Sequence, residues 1–367
     1  MAAEFIVTPS EKITSDADIA TIHQNPGFGD YFTDHMAIID WEGDYRTGGT
    51  WKDARIEAYG PITLDPATTV FHYGQEIFEG IKAYRHADGS VTTFRPGKNA
   101  ERFNRSARRM ALPELPEELF IESLKQLVTI DQKWIPSGDG EALYLRPFQI
   151  ATEKFLGVRP TRQARYMVIA SPAGNYFGTP APVDIWLSSN YTRAAEGGTG
   201  FAKCGGNYAG GMVAQIEAEN NGCKQVVFVD RHRDNAIEEL GGMNIFFVFG
   251  GQNKIVTPEL TGTILEGVTR DSILQLARDR GMTVEERKIT LDEWKSGVEK
   301  GEITEIFACG TAAVIAPIGN LKSETFTIPN AAGDGVVGEV TMAIRDELVG
   351  IQTGKVEDRH GWNVKLI

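Results

Sequence analysis

Near the middle of this 367-residue chain, the stretch Ser-Pro-Ala-Gly-Asn-Tyr-Phe-Gly-Thr-Pro-Ala-Pro at 171–182 packs three prolines and two glycines into twelve residues. Proline lacks the N–H that a helix interior or a central strand uses, so the run disfavours both and reads as a linker. It splits the chain into a first domain over 1–172, a connecting loop over 173–182 and a second domain over 183–367. The total length accommodates two domains of ~100–200 residues each.

On both sides of the linker, period-2 and period-3.6 patterns are mixed without strict strand–helix alternation, which predicts two α+β domains rather than a doubly wound sheet. In the first, Met36–Trp41 reads as a strand, and Ile81–Arg85 and Val91–Phe94 form a hairpin through Asp88-Gly89. A helix from about Asn99 places Ala100, Phe103, Ala107 and Met110 on one face and stops before Pro113. A second covers about 116–134, and strands are expected at Ala142–Leu145 and Tyr166–Ala170. In the second domain, strands are expected near Val183–Ser188, Gln225–Val229, Asn244–Phe249 and Lys254–Val256. Helices are expected at about Asn207–Asn221, Thr269–Arg280 (closed by Gly281) and Gly338–Ile351.

With 41% apolar and 24% charged residues, the chain has the make-up of a globular protein with sizeable cores. Its 37 Lys and Arg against 50 Asp and Glu give a formal charge of −13, a poor match to nucleic acid or anionic lipid. No apolar run approaches the ~20 residues of a membrane span. Three scattered cysteines with no CxxC point away from disulfides and zinc and toward a reducing cytoplasm.

The most unusual local sequence surrounds one lysine: Gly197-Gly-Thr-Gly-Phe-Ala-Lys203-Cys-Gly-Gly-Asn-Tyr208-Ala-Gly-Gly211. A phosphate-cradling P-loop needs Gly before the lysine and Ser or Thr after it; Ala202 and Cys204 stand there instead. A dinucleotide fingerprint fails at Lys203, which speaks against a nicotinamide oxidoreductase. A lysine among glycines that admit a ligand, with a phenol five residues on, suits covalent attachment to a carbonyl or to pyridoxal phosphate, although a solvated lysine on a surface loop has the same local sequence.

Seven blocks in order carry a resemblance over nearly the whole chain: Phe32-Thr-Asp-His-Met36, Tyr73-Gly-Gln-Glu-Ile-Phe-Glu-Gly80, Leu143-Tyr-Leu-Arg-Pro147, Lys203-Cys-Gly-Gly-Asn-Tyr208, Glu239-Leu-Gly-Gly-Met-Asn244, Glu266-Gly-Val-Thr-Arg-Asp271 and Gly310-Thr-Ala312. Together they resemble the branched-chain amino acid aminotransferases of pyridoxal-phosphate fold type IV. The resemblance implies a two-domain D-amino acid aminotransferase-like fold, with a small N-terminal α+β domain and a larger C-terminal one carrying the cofactor lysine. Within that fold, a D-amino acid aminotransferase or an aminodeoxychorismate lyase is the alternative reading.

The resemblance makes Lys203 the catalytic lysine that bears pyridoxal 5'-phosphate. It sets Glu239 against the pyridine nitrogen and Tyr208 against the ring oxygen, and gives the phosphate to Arg102, Val268, Thr269 and Thr311. On the residues alone, Glu238 and Glu239 read as solvated carboxylates and Arg102 as one of a basic run with Arg105, Arg108 and Arg109. The implied substrate pocket is Phe32, Tyr73, Phe78, Tyr144, Arg146, Tyr176, Thr311 and Ala312, with Arg146 for the second carboxylate of 2-oxoglutarate. Tyr176 makes the 173–182 loop a lid. Two departures stand out: Ala313 and Ala316 occupy the places where some relatives carry a redox CxxC, and Gly242 stands where some have Thr. The resemblance further implies transfer of amino groups from leucine, isoleucine and valine to 2-oxoglutarate in two half-reactions, by a homodimer.

Overall fold

The computed structural model describes residues 4–174 and 180–367. Tyr176 and the centre of the expected 173–182 loop lie outside the described residues. Two compact units emerge, and they do not follow the chain as consecutive blocks. The described residues up to 174 group with 202–205 and 350–367, and 180–201 groups with 206–349.

In the first unit the strands are β1 (Ile6–Val7), β2 (His35–Asp44), β3 (Gly48–Ala58), β4 (Glu76–Phe78), β5 (Ile81–Arg85), β6 (Val91–Phe94), β7 (Ala142–Ala151) and β8 (Gln163–Ala173). Its helices are α1 (Asp16–Gln24), α2 (Thr69–Tyr73), α3 (Pro96–Arg109) and α4 (Glu117–Ile130). The sheet runs β1-β3-β2-β8-β7-β5-β6 and ends on the C-terminal strand Asn363–Lys365, with β4 also paired to β7. α3 begins with Pro96 at its first position and buries Ala100, Phe103 and Ala107, the face expected from their spacing. Phe103 packs against Phe120 of α4 and Tyr166 of β8, with ring centroids 5.6 and 5.5 Å apart.

β7 alternates cleanly. Leu143 and Leu145 enter the core shared with Phe103 and Phe120, while Tyr144, Arg146 and Phe148 stay partly exposed on the opposite face. Both expected strand ends in this region fall short, and for related reasons. β7 continues through Pro147 because that residue sits where the neighbouring chain passes from β4 to β5, between Phe78↔Phe148 and Ile81↔Leu145. β8 continues through Pro172 because its ladder to β2 reaches only Val168, leaving one side of the strand without a β2 partner there. Ser171–Ala173 therefore belong to the strand and not to the linker.

The second unit holds β9 (Val183–Leu187), β10 (Gln225–Asp230), β11 (Ala236–Leu240), β12 (Asn244–Phe249), β13 (Lys254–Thr257), β14 (Thr283–Glu286), β15 (Glu305–Gly310), β16 (Val314–Lys322) and β17 (Thr327–Ile328). Its helices are α5 (Gly205–Ala209), which starts at the unit boundary, α6 (Met212–Asn220), α7 (Val268–Asp279), α8 (Leu291–Glu299) and α9 (Glu339–Gln352), whose last turn counts with the first unit. The sheet order is β11-β10-β9-β16-β15-β12-β13-β14. The single helix expected over 207–221 is two, because Gly210 and Gly211 interrupt it. Gly281 adopts φ +71° beyond α7, the left-handed stop its position predicted. The C-terminal strand, β18, pairs with β6, so the last eighteen residues close the first unit. Among the described residues no helix is long and apolar enough to cross a membrane.

Candidate active site

In the first unit Lys203 is fixed by its backbone. Its N–H donates to Ser106 Oγ at 2.9 Å, and its carbonyl accepts from Phe78 N–H at 2.9 Å. Two residues on, Gly205 N–H donates to the Glu76 carboxylate. The Lys203 side chain is half-buried, and its Nζ lies 4.8 Å from the Phe78 ring centroid.

Arg102 is not one of a solvated basic run. It is buried, and its Nε and Nη2 donate to Glu79 at 2.7 and 2.8 Å, with Asn99 Nδ2 adding a bond at 2.8 Å. Burial alone would push the Glu79 carboxyl up; the charges and hydrogen bonds of Arg102, with the charge of Lys203 and the Asn99 bond, hold it below the usual carboxylate range. Glu79, Asn99 and Ser106 were missed by sequence reasoning, although Glu79 lies inside the Tyr73–Gly80 block.

Phe78, Tyr144 and Arg146 come together. Arg146 Nη2 donates to Tyr144 Oη at 2.9 Å, and its guanidinium lies 4.9 Å from the Phe78 centroid. Phe28, also missed, packs edge-on against Tyr144 at 4.9 Å. A Cβ at Gly80 would overlap Tyr144 Oη, which is why that position is bare. Phe32 stacks on Tyr59 at 5.0 Å and lines a cleft of about 690 Å³ with Thr8, Lys12, Asp34 and Glu57. Tyr73 is exposed, and its hydroxyl donates to the Leu156 carbonyl. None of Phe32, Tyr73, Phe78 and Tyr144 is a core residue, as the aromatic type alone would suggest.

In the second unit Glu239 sits near the end of β11, where the chain turns through Gly241, Gly242 and Met243 into β12. Its Oε1 accepts from Leu265 N–H at 2.9 Å and lies 2.9 Å from Arg193 Nη1. Its Oε2 accepts from Asn244 Nδ2 at 3.1 Å. Arg193 also donates from Nη1 to the carbonyls of Thr263 (2.9 Å) and Gly200 (3.3 Å). Sequence reasoning gave no sign of Arg193; Asn244 closes a block it had quoted. Glu238 is buried as well, contrary to its reading as a solvated carboxylate, because β11 is covered on both faces. Burial pushes its carboxyl up against the opposing hydrogen bond of Thr263.

The Tyr208 ring packs beside Gly242, within 3.6 Å of where a Cβ would be. Val268 and Thr269 open α7 after Gly267, which makes no side-chain cap, so their N–H groups face outward with the positive end of the helix dipole. A Cβ at Gly267 would overlap Asn244 Oδ1, so only bare backbone fits this turn. Thr311 and Ala312 form the turn between β15 and β16, and α7 packs along β15. The first unit's amine-bearing lysine, and separately the second unit's buried ion-paired carboxylate, phenol and uncapped helix N-terminus, are each of a kind that a phosphorylated pyridine aldehyde requires.

Residues 76–321 match the family model for amino-transferase class IV. The chain is 56% identical to a branched-chain-amino-acid aminotransferase of Mycolicibacterium smegmatis, over 99% of this chain and 98% of that one. It is 55% identical to the Mycobacterium tuberculosis protein of the same name, with the same coverage. Among solved structures, the branched-chain amino acid aminotransferase of Escherichia coli superposes with a TM-score of 0.73 at 26% identity, over 85% of this chain and 97% of that one.

Proposed function

Because the chain belongs to the class IV aminotransferases, we propose that it moves the amino group of L-leucine, L-isoleucine or L-valine to 2-oxoglutarate, giving the branched-chain 2-oxo acid and L-glutamate, with pyridoxal 5'-phosphate as cofactor. The observation that carries this reading is the full-length likeness to named branched-chain enzymes at above half identity. Bound pyridoxal phosphate supplies an aldehyde for the amino group and an electron sink for the charge left when the Cα proton departs.

The side chains divide the remaining work. Lys203 Nζ holds the cofactor, then takes the proton from the substrate Cα once substrate has displaced it. Glu239 faces the pyridine nitrogen as an anion and favours its protonated form. Tyr208 donates to the ring oxygen. The N–H groups of Val268 and Thr269, with Thr311 and Arg102, hold the phosphate. Phe78 and Tyr144, with Phe32, Tyr73, Tyr176 and the Thr311–Ala312 turn, receive the branched side chain, and Arg146 takes the distal carboxylate of 2-oxoglutarate.

The enzyme works as a cytoplasmic homodimer in this reading. Three free, buried cysteines suit a reducing compartment. The exposed apolar side chains of Phe71, Leu156 and Val158, with exposures of 60, 62 and 86%, suit burial against a second copy. The test is amino transfer by the cofactor-loaded protein: L-leucine with 2-oxoglutarate yields glutamate, and D-alanine does not. Turnover of D-alanine in preference to L-leucine would move the assignment to the D-specific branch of the fold.

A further inference from the structure

We propose that Arg193 is a positioning residue that keeps Glu239 anionic and thereby keeps the proton on the ring nitrogen of bound pyridoxal phosphate. The inference rests on the reading that Glu239 faces that nitrogen. A buried carboxylate and a pyridine sharing one proton have two arrangements: carboxylate with protonated ring, or neutral acid with unprotonated ring. Burial favours the neutral pair, since two charges cost more than none in a poorly solvated site. A third, fixed charge breaks the tie. Arg193 Nη1 lies 2.9 Å from Glu239 Oε1, and both side chains are 2% exposed. A guanidinium in direct contact with the carboxylate would stabilise the anion, and with it the protonated form of a ring nitrogen facing that carboxylate.

Glu238, the next residue on the same strand, shows what the surroundings do without such a pair. It is similarly buried, and burial, with the like charge of Asp230, pushes its carboxyl up even with the Thr263 hydrogen bond and the more distant charges of Arg193 and Arg233 opposing. Glu239 differs in having the guanidinium on its own oxygen, together with Leu265 N–H and Asn244 Nδ2. The arginine is also not fully satisfied as a structural brace: its Nε is buried and finds no hydrogen-bond partner among the described residues. A buried donor left unmatched is unfavourable, a cost more easily understood for a charge than for a clamp.

The experiment loads the enzyme with pyridoxal phosphate carrying ¹⁵N in the ring and reads the nitrogen chemical shift, which reports protonation directly and does not depend on turnover. Arg193→Gln keeps a polar side chain and removes the charge. The nitrogen shift is expected to move from the protonated toward the unprotonated value, as in Glu239→Gln, and Arg193→Lys to restore it. The kcat for L-leucine is expected to fall in Arg193→Gln with KM little changed. A folded, loaded Arg193→Gln enzyme with the wild-type nitrogen shift, while Glu239→Gln moves it, overturns the proposal and leaves the Glu239 reading standing. An unmoved shift in Glu239→Gln overturns both. Should Arg193→Gln not fold, Arg193→Lys decides: a wild-type shift supports the charge role, and an unprotonated shift in a folded Lys variant overturns it.

Discussion

Lys203 and Phe78 hold each other twice: the Phe78 N–H donates to the Lys203 carbonyl at 2.9 Å, and the Lys203 amine lies 4.8 Å from the Phe78 ring centroid. The ring also carries Arg146, at 4.9 Å. One aromatic side chain thus sits against both the amine proposed for chemistry and the cation proposed for 2-oxoglutarate. Phe78→Leu keeps the backbone bond and loses the ring face, worth about 0.5–1 kcal/mol to a partly exposed cation. The KM for 2-oxoglutarate is expected to rise about 2–5-fold with that for L-leucine held within two-fold. Equal rises for both substrates would separate Arg146 from the dicarboxylate.

Lys203→Ala removes a half-buried side chain while Ser106, Phe78 and Glu76 still hold the loop through backbone groups. The variant should fold, bind pyridoxal phosphate without a covalent link, and lose nearly all transamination. Borohydride reduction of the wild-type holoenzyme followed by peptide mapping should place the cofactor on Lys203. A label on another lysine refutes the assignment.

Lys82 stands opposite Tyr144 in the β5–β7 ladder, and burial pushes its ammonium down to about 8. Because the folded value lies below the ordinary lysine value of 10.5, the penalty is complete below pH 8 and fades as pH rises from about 8 toward 10.5. Lys82→Met should therefore be more stable than wild type at pH 7, by up to about 3 kcal/mol, and the gap should shrink severalfold by pH 10. Denaturant unfolding of both proteins at the two pH values measures it. A gap that widens with pH would mean the lysine is stabilised as a cation in the fold.

Activity should resist mild peroxide. Ala313 and Ala316 leave no vicinal thiol pair, and burial pushes the Cys309 thiol far above its ordinary range despite the nearby charge of Arg270. Cys204, adjacent to Lys203, is buried in the first unit's core. A loss at low peroxide that dithiothreitol reverses would contradict this, and Cys204→Ala or Cys309→Ala would name the thiol.

Much of the architecture was legible wherever an element carried its own punctuation. The β5–β6 hairpin and β12 have the expected bounds, and α7 ends at the glycine that foretold it. Elements defined by partners were not legible. β18 is three residues long and exists because β6 offers an edge, and β7 and β8 run through prolines because adjoining strands stop there. The same limit applies at the site. Glu239 and Lys203 stood out through sequence blocks, but a buried Arg102–Glu79 pair and the Arg193–Glu239 pair depend on charges 23 and 46 positions apart meeting in the fold. Nothing local in Tyr191-Thr-Arg193 distinguishes it from a surface turn.

The central claim, amino transfer in two separable halves through a cofactor on this chain, is tested most directly by giving the loaded enzyme L-leucine and no acceptor. The account predicts release of the corresponding 2-oxo acid up to one equivalent per bound cofactor, then arrest until 2-oxoglutarate is added, when glutamate appears in matching amount. No release in the first stage, or continued turnover without an acceptor, would contradict it.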